Sequence, residues 1–217
     1  MPGPVVRLSG VCKSYLMAEG AVPILEGVGL TIEPGQKASL VGPSGSGKST
    51  LLALIAGLLR PDAGEVEIDG AAISTLGDDA RADLRARRIG IALQSDNLIP
   101  FLTAQENVVL AMGFGGGKGE ARALLDRMGV GHRADHLPRQ LSGGEAQRVS
   151  LGVALANAPR LLLADEMVAQ LDAVTAGTVV GDIFATDMAV LFVTHDKALA
   201  DRADLRLTIA DRKVAVR

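Results

Sequence analysis

The nine residues GPSGSGKST, Gly42 to Thr50, restrict most what this chain can become. They follow an apolar run, Ala38 to Val41, and lead directly into LLALIAGLL, Leu51 to Leu59. This is the G-x-x-x-x-G-K-S pattern in the strand, loop and helix setting that it requires. Within Gly42, Pro43, Ser44, Gly45, Ser46 and Gly47, the glycines let backbone amides turn inward as an anion nest. The dipole of the following helix adds partial positive charge at the same point. Such a loop cradles a polyphosphate: Lys48 reaches the β- and γ-phosphates, Ser49 ligates Mg²⁺, and Thr50 ends the set of nucleotide-binding residues.

The rest of the chain has to supply a fold for that loop. Short apolar runs, Ile89 to Leu93, Leu161 to Ala164 and Ala189 to Thr194, join Ala38 to Val41 in alternating with segments long enough for helices, which predicts a largely parallel sheet. Earlier runs, Val5 to Leu8, Val28 to Ile32 and Glu65 to Ile68, alternate polar and apolar residues between Gly and Pro turns and read as antiparallel. Residues between Gln94 and Leu161 carry helical patterns and no convincing strand. Two helix starts there match a capping box, Thr103 with Glu106 and Ser142 with Glu145. Gly113 to Gly119 reads as a flexible surface turn, and Leu205 to Ile209 with Asp211-Arg212 and Val214 to Val216 as a closing hairpin. The expected fold class is α/β: a P-loop NTPase core with a mostly parallel sheet, an antiparallel β subdomain and an inserted α-helical subdomain. One domain spans 1–217, its core about 1–94 and 157–217 and its helical part about 95–156.

Composition narrows the partners. A net charge of −3 gives no bulk attraction to phosphate backbones, so no nucleic acid is expected. Cys12 is the only cysteine, which excludes an intrachain disulfide and fits a reducing compartment. Leu51 to Leu59 is about half of the roughly 18–20 apolar residues that cross a bilayer, and no signal-peptide pattern opens the chain, so it is expected neither to span a membrane nor to be exported.

A phosphate loop alone leaves kinases, GTPases, helicases and motors open. The run Leu161 to Asp165, with Glu166 next, adds an acidic strand end. There Asp165 can stay charged beside Mg²⁺ while Glu166 orients and polarises an attacking water. LSGGEAQRV, Leu141 to Val149, then decides between them. Two glycines behind a cap leave bare amides at a helix N-terminus, a second phosphate-binding surface in a chain whose first is already assigned.

Together these three motifs resemble those of the ABC ATPases, over essentially the whole chain. The resemblance implies a head-to-tail homodimer in which each ATP lies between the phosphate loop of one subunit and Ser142, Gly143, Gly144 and Glu145 of the other. It implies adenine stacking by Tyr15, contact of Gln94 with Mg²⁺ and the attacking water, a γ-phosphate hydrogen bond from His195, and a place for Asp172 at the dimer interface. His132 and His136 match nothing and read as surface residues. The chain departs from the family in Met167-Val168, where Pro-Thr is usual, and in Gln170, where a small residue is usual. Loss of the proline is expected to loosen that turn.

Finer resemblance lies in Tyr15 through Gly20 to Leu25 and in NLIPFLTAQENV, Asn97 to Val108, which are similar to ATPases of bacterial lipoprotein-release, macrolide-export and peptide-resistance systems. It implies an ATPase seated on the inner face of the cell membrane beneath an integral membrane subunit. The alternative is a regulatory or scaffold ABC ATPase that signals by ATP-dependent dimerisation; such relatives usually carry tandem domains or a coiled-coil insertion, and this chain has neither.

Overall fold

The computed structural model describes residues 3–18, 20–92, 98–113 and 116–217. Strands β1 (Val6–Met17) and β2 (Gly20–Ile32) form an antiparallel ribbon that continues through β4 (Ala63–Ile68) and β5 (Ala71–Ala72), in the order β2-β1-β4-β5. Both long strands outrun the alternation seen in sequence, because the pairing shifts register between Leu8 and Val11 and again around Lys13. Bulges of this kind break the period of two without ending the strand.

The second sheet has the order β10-β9-β3-β8-β7-β6, built from β3 (Lys37–Val41), β6 (Ile89–Ala92), β7 (Leu161–Asp165), β8 (Ala189–Val193), β9 (Leu205–Ala210) and β10 (Lys213–Val216). All its pairings are parallel except the last, β9 with β10. That final hairpin turns through Asp211 and Arg212, at φ 47° and 65°. Arg212 also ties the two sheets together, its carbonyl accepting from the Glu26 amide at 2.9 Å and its guanidinium lying 3.0 Å from the Glu26 carboxylate.

Buried strands with both faces covered show no polar alternation. In β8, Leu191 and Val193 enter one apolar cluster, shared with the antiparallel sheet and α1 (Lys48–Ile55), while Val190 and Phe192 enter a second on the opposite face. β7 divides in the same way, Leu161 and Leu163 against Leu162 and Ala164. α2 (Asp78–Arg88) leads into β6.

Between β6 and β7 the chain forms α3 (Ala104–Met112), α4 (Lys118–Arg127) and α5 (Gly143–Leu155), whose Val108, Leu125 and Leu151 fill the second cluster. Both expected capping boxes are present, at Thr103 with Glu106 and at Ser142 with Glu145. The glycine-rich turn is shorter than the sequence implied: Gly113 ends α3 at φ 63°, and Lys118 and Gly119 already belong to α4. Its start is fixed by Glu120, which accepts from the Gly117 amide at 2.7 Å. Two further helices follow β7, the 12-residue α6 (Ala173–Phe184) and, after β8, the short α7 (Lys197–Ala200). Among the described residues no helix is long and apolar enough to cross a membrane.

Candidate functional site

Parallel strands deliver their C-terminal ends to one edge of the sheet, and the chemistry-bearing residues gather there. At the end of β3 the loop turns through Gly45 at φ 75° and Gly47 at φ 101°, conformations that favour glycine. A Cβ on Gly42 would lie 2.6 Å from Ile209 Cγ2, and one on Gly47 2.8 Å from Ile24 Cγ2, so the loop is pressed between β9 and β2. Lys48 opens α1 and bends back over the loop, its Nζ donating to the carbonyls of Gly42 and Pro43 at 2.8 Å each. Tyr15, about one third exposed on β1, brings its hydroxyl 3.5 Å from Thr50 Oγ1.

Two strands away in the sheet order, β7 ends in Asp165, whose Oδ2 lies 3.2 Å from Ser49 Oγ. A hydroxyl and a carboxylate side by side are the oxygen donors that a hard divalent cation takes, with the remaining positions left to water and phosphate. Among the described residues no three His, Cys, Asp or Glu cluster to cage a metal. Gln94, the third residue expected at the ion, lies outside the described residues, as does Leu93 at the expected end of β6.

Glu166 adopts φ 54°, a left-handed conformation uncommon for a residue with a Cβ. Its amide donates to the Val193 carbonyl at 3.1 Å, and its carboxylate accepts from the His195 amide at 2.9 Å. The His195 ring nitrogen Nε2 stands 3.8 Å from the same oxygen, on a side chain that is largely exposed. Burial pushes the Glu166 carboxyl above its ordinary value of 4.5, and the neighbouring His195 acts in the opposite direction. A carboxylate made more basic by burial and aimed at the phosphate-loop edge is suited to hold and polarise a water.

The second anion surface expected from the sequence lies at the start of α5. Ser142 Oγ accepts from the Glu145 amide at 3.3 Å, and Glu145 Oε2 accepts from the Ser142 amide at 2.8 Å. The amides of Gly143 and Gly144 fall at helix positions that have no intrahelical acceptor, and Ser142 and Gly143 are exposed. Glu145 is held at about 2, first by the Ser142 amide and then by Arg133, whose Nε donates to Oε1 at 2.7 Å. His132, exposed, stands 3.7 Å from the same carboxylate. His136 is not a plain surface residue: its Nε2 lies 3.3 Å from Arg133, and its carbonyl receives the first amide of α3 at 2.9 Å.

Between these two surfaces runs the turn 166–172. Met167 is 2% exposed and seated in the second apolar cluster, with Val168 and Leu171 packed against it. Apolar packing therefore anchors the turn at the position where the family's proline is absent. Gln170 lies across the signature, since a Cβ on Gly143 would collide with its carboxamide and one on Gly144 would lie 2.9 Å from its carbonyl. Asp172 caps α6, its Oδ1 accepting from the amides of Val174 and Thr175 at 3.1 Å each.

Sequence reasoning missed Arg133 and Gln147. The side chain of Gln147 links α5 to both ends of the turn, donating to the Glu166 carbonyl at 2.7 Å and accepting from the Gln170 amide at 2.9 Å. Its spacing of four from Gly143 places it on the signature face of α5, the one signal that pointed to it.

Comparison with known proteins agrees with this geometry. The profile of the family described as ABC transporter matches residues 25–169. The lipoprotein-releasing system ATP-binding protein LolD of Ruegeria pomeroyi is 47% identical, covering 99% of this chain and 99% of that protein. Its namesake from Maricaulis maris is 44% identical, covering 95% and 94%. Among solved structures, the dimeric post-hydrolysis state of the ATP-binding cassette MJ0796 bound to ADP and Pi superposes with a TM-score of 0.92 at 37% identity, covering 98% of this chain and 97% of that one. With the profile spanning most of its length and such relatives matching it end to end, this chain belongs to the ABC transporter family, as one of its ATP-hydrolysing cassettes.

Proposed function

We propose that this chain hydrolyses ATP in a head-to-tail homodimer and thereby drives a separate integral membrane subunit that releases lipoproteins from the membrane, working from its inner face. The observation that supports the reading is that one chain carries two unlike features, each suited to phosphate: the Lys48 loop and the capped, exposed start of α5. Each suits one side of a nucleotide held between two copies. The substrate class follows from relatives named for lipoprotein release that match along their full length.

In this reading Gly42 to Thr50 wrap the phosphates of one ATP, Tyr15 stacks on its adenine, and Ser142 to Glu145 of the second copy close over the γ-phosphate. Ser49, Asp165 and Gln94 would hold Mg²⁺, which would supply charge neutralisation at the phosphates. Glu166 orients the attacking water and takes up its hydrogen bond, with His195 donating to the γ-phosphate. Closure of the two copies places negative charge between amides and Lys48, and hydrolysis removes that attraction. Reopening moves the helical part, about 95–156, and with it the exposed Phe101. Asn107 frames the loop that carries Phe101, its amide group bonded to Ile99, Leu102 and Thr103.

Two measurements test the proposal. Glu166→Gln lowers turnover at least about a hundredfold while ATP stays bound, the scale expected for losing a positioned catalytic group; wild-type turnover refutes the role. Affinity purification from membranes recovers the chain with a multi-spanning protein, and recovery only as a homodimer free of any membrane protein refutes the coupling.

A further inference from the structure

Gln147 bonds both ends of its side-chain amide to the backbone of the turn that carries Glu166. Nε2 donates to the Glu166 carbonyl, and Oε1 accepts from the Gln170 amide. Between those ends the turn closes on itself, through Ala169 to the Glu166 carbonyl at 3.2 Å and Leu171 to the Val168 carbonyl at 3.0 Å. Glu166 stands at φ 54°, and a residue with a Cβ keeps such a conformation only where its surroundings enforce it. Met167 secures the apolar side of the turn by burial, and Gln147 secures its polar side. The same turn presses Gln170 onto Gly143, so the backbone of Glu166 and the start of α5 are fastened to each other within one subunit.

We propose that Gln147 is a positioning residue. By pinning residues 166 and 170 it aims the Glu166 carboxylate at the phosphate-loop edge, and it makes that aim depend on the placement of the signature helix of the same chain. This rests on the reading of Glu166 as the water-orienting group. In the dimer it gives each subunit a direct hydrogen-bonded path between the nucleotide it hydrolyses and the nucleotide it covers for its partner.

The test is a double-substitution cycle on the full-length protein, following kcat and KM for ATP together with thermal stability. Gln147→Met keeps the length and removes both hydrogen bonds. Gln147→Glu keeps an acceptor for the Gln170 amide but turns oxygen toward the Glu166 carbonyl, and it stands in should the methionine variant fold poorly. Either change lowers kcat at least about tenfold and leaves KM within about twofold, since misplacing a catalytic group by about 1 Å costs up to about a hundredfold. In a Glu166→Gln background the same change alters turnover by less than about twofold, because a residue that acts through Glu166 has nothing left to position. Wild-type kcat in both variants overturns the inference, as does an equal further loss in the Glu166→Gln background. Should Glu166→Gln alone leave turnover intact, the reading of Glu166 falls first and this one with it.

Discussion

Gly143→Ala separates folding from function at the start of α5. The added methyl meets one residue, Gln170: it would collide with the carboxamide Oε1 and lie 3.2 Å from Cδ and 3.8 Å from Cβ. No backbone lies in its way, so a rotation of Gln170 that carries its amide aside by about 1 Å admits the methyl. Gly143 is the first residue of α5, so alanine there gains at most the roughly 0.5–1 kcal/mol by which it is favoured over glycine inside a helix. The gain and the displaced side chain oppose each other, and for a chain of this size about 1 kcal/mol is worth roughly 2–4 °C. Tm is therefore expected to stay within about 3 °C of wild type. Turnover is expected to fall at least about a hundredfold, because Gly143 is exposed where the γ-phosphate held by the second copy would seat, and added bulk there holds it off. Thermal denaturation and steady-state ATP hydrolysis measure the two quantities, and Gly143→Ala with Gln170→Ala assigns the cause. Removing the Gln170 side chain relieves the contact within the subunit but not the one across the dimer, so activity stays lost. Wild-type turnover in the single variant, or its recovery in the double, would refute the assignment of this surface to a nucleotide.

Glu166→Gln also reports on stability. Burial holds the Glu166 carboxyl above its ordinary 4.5, so the folded state binds its proton more tightly than the unfolded state does. The fold is then most favoured below the unfolded value of about 4.5 and loses stability as pH rises from there through the folded value. The variant removes that loss: its Tm exceeds that of wild type at about pH 8 and converges with it toward about pH 4, as a denaturation series over pH records. Glu145 has the opposite sign. Held at about 2 against 4.5, it contributes stability above the unfolded value, and that contribution disappears as pH falls toward 2. In Arg133→Ala its carboxyl resonance titrates higher by NMR yet still below 4.5, because the Ser142 amide, the larger cause, remains.

What the sequence disclosed was local. The phosphate loop announces itself because its glycines, lysine and serine must be neighbours, and the capping boxes at Thr103 and Ser142 because they close over three residues. Asp165 could be placed because its apolar strand runs directly up to it. Contacts made between distant elements left no such trace. Arg133 reaches Glu145 across twelve residues and Gln147 reaches Glu166 across nineteen, and nothing in either segment names its partner. Met167 read as a missing proline, whereas burial against the helices decides how that turn is held. Strands β1 and β2 were visible only where alternation survived their bulges.

The division of β8 between two apolar clusters has a consequence for accuracy. Leu191 and Phe192 differ in bulk and face opposite sides of the sheet, so sliding the strand by one residue would thrust an aromatic ring into a space sized for leucine and leave a void behind it. Volume matching in the interior thus acts as a steric gauge for the strand. His195, three residues beyond Phe192, inherits its alignment from that gauge before its own amide ever meets Glu166.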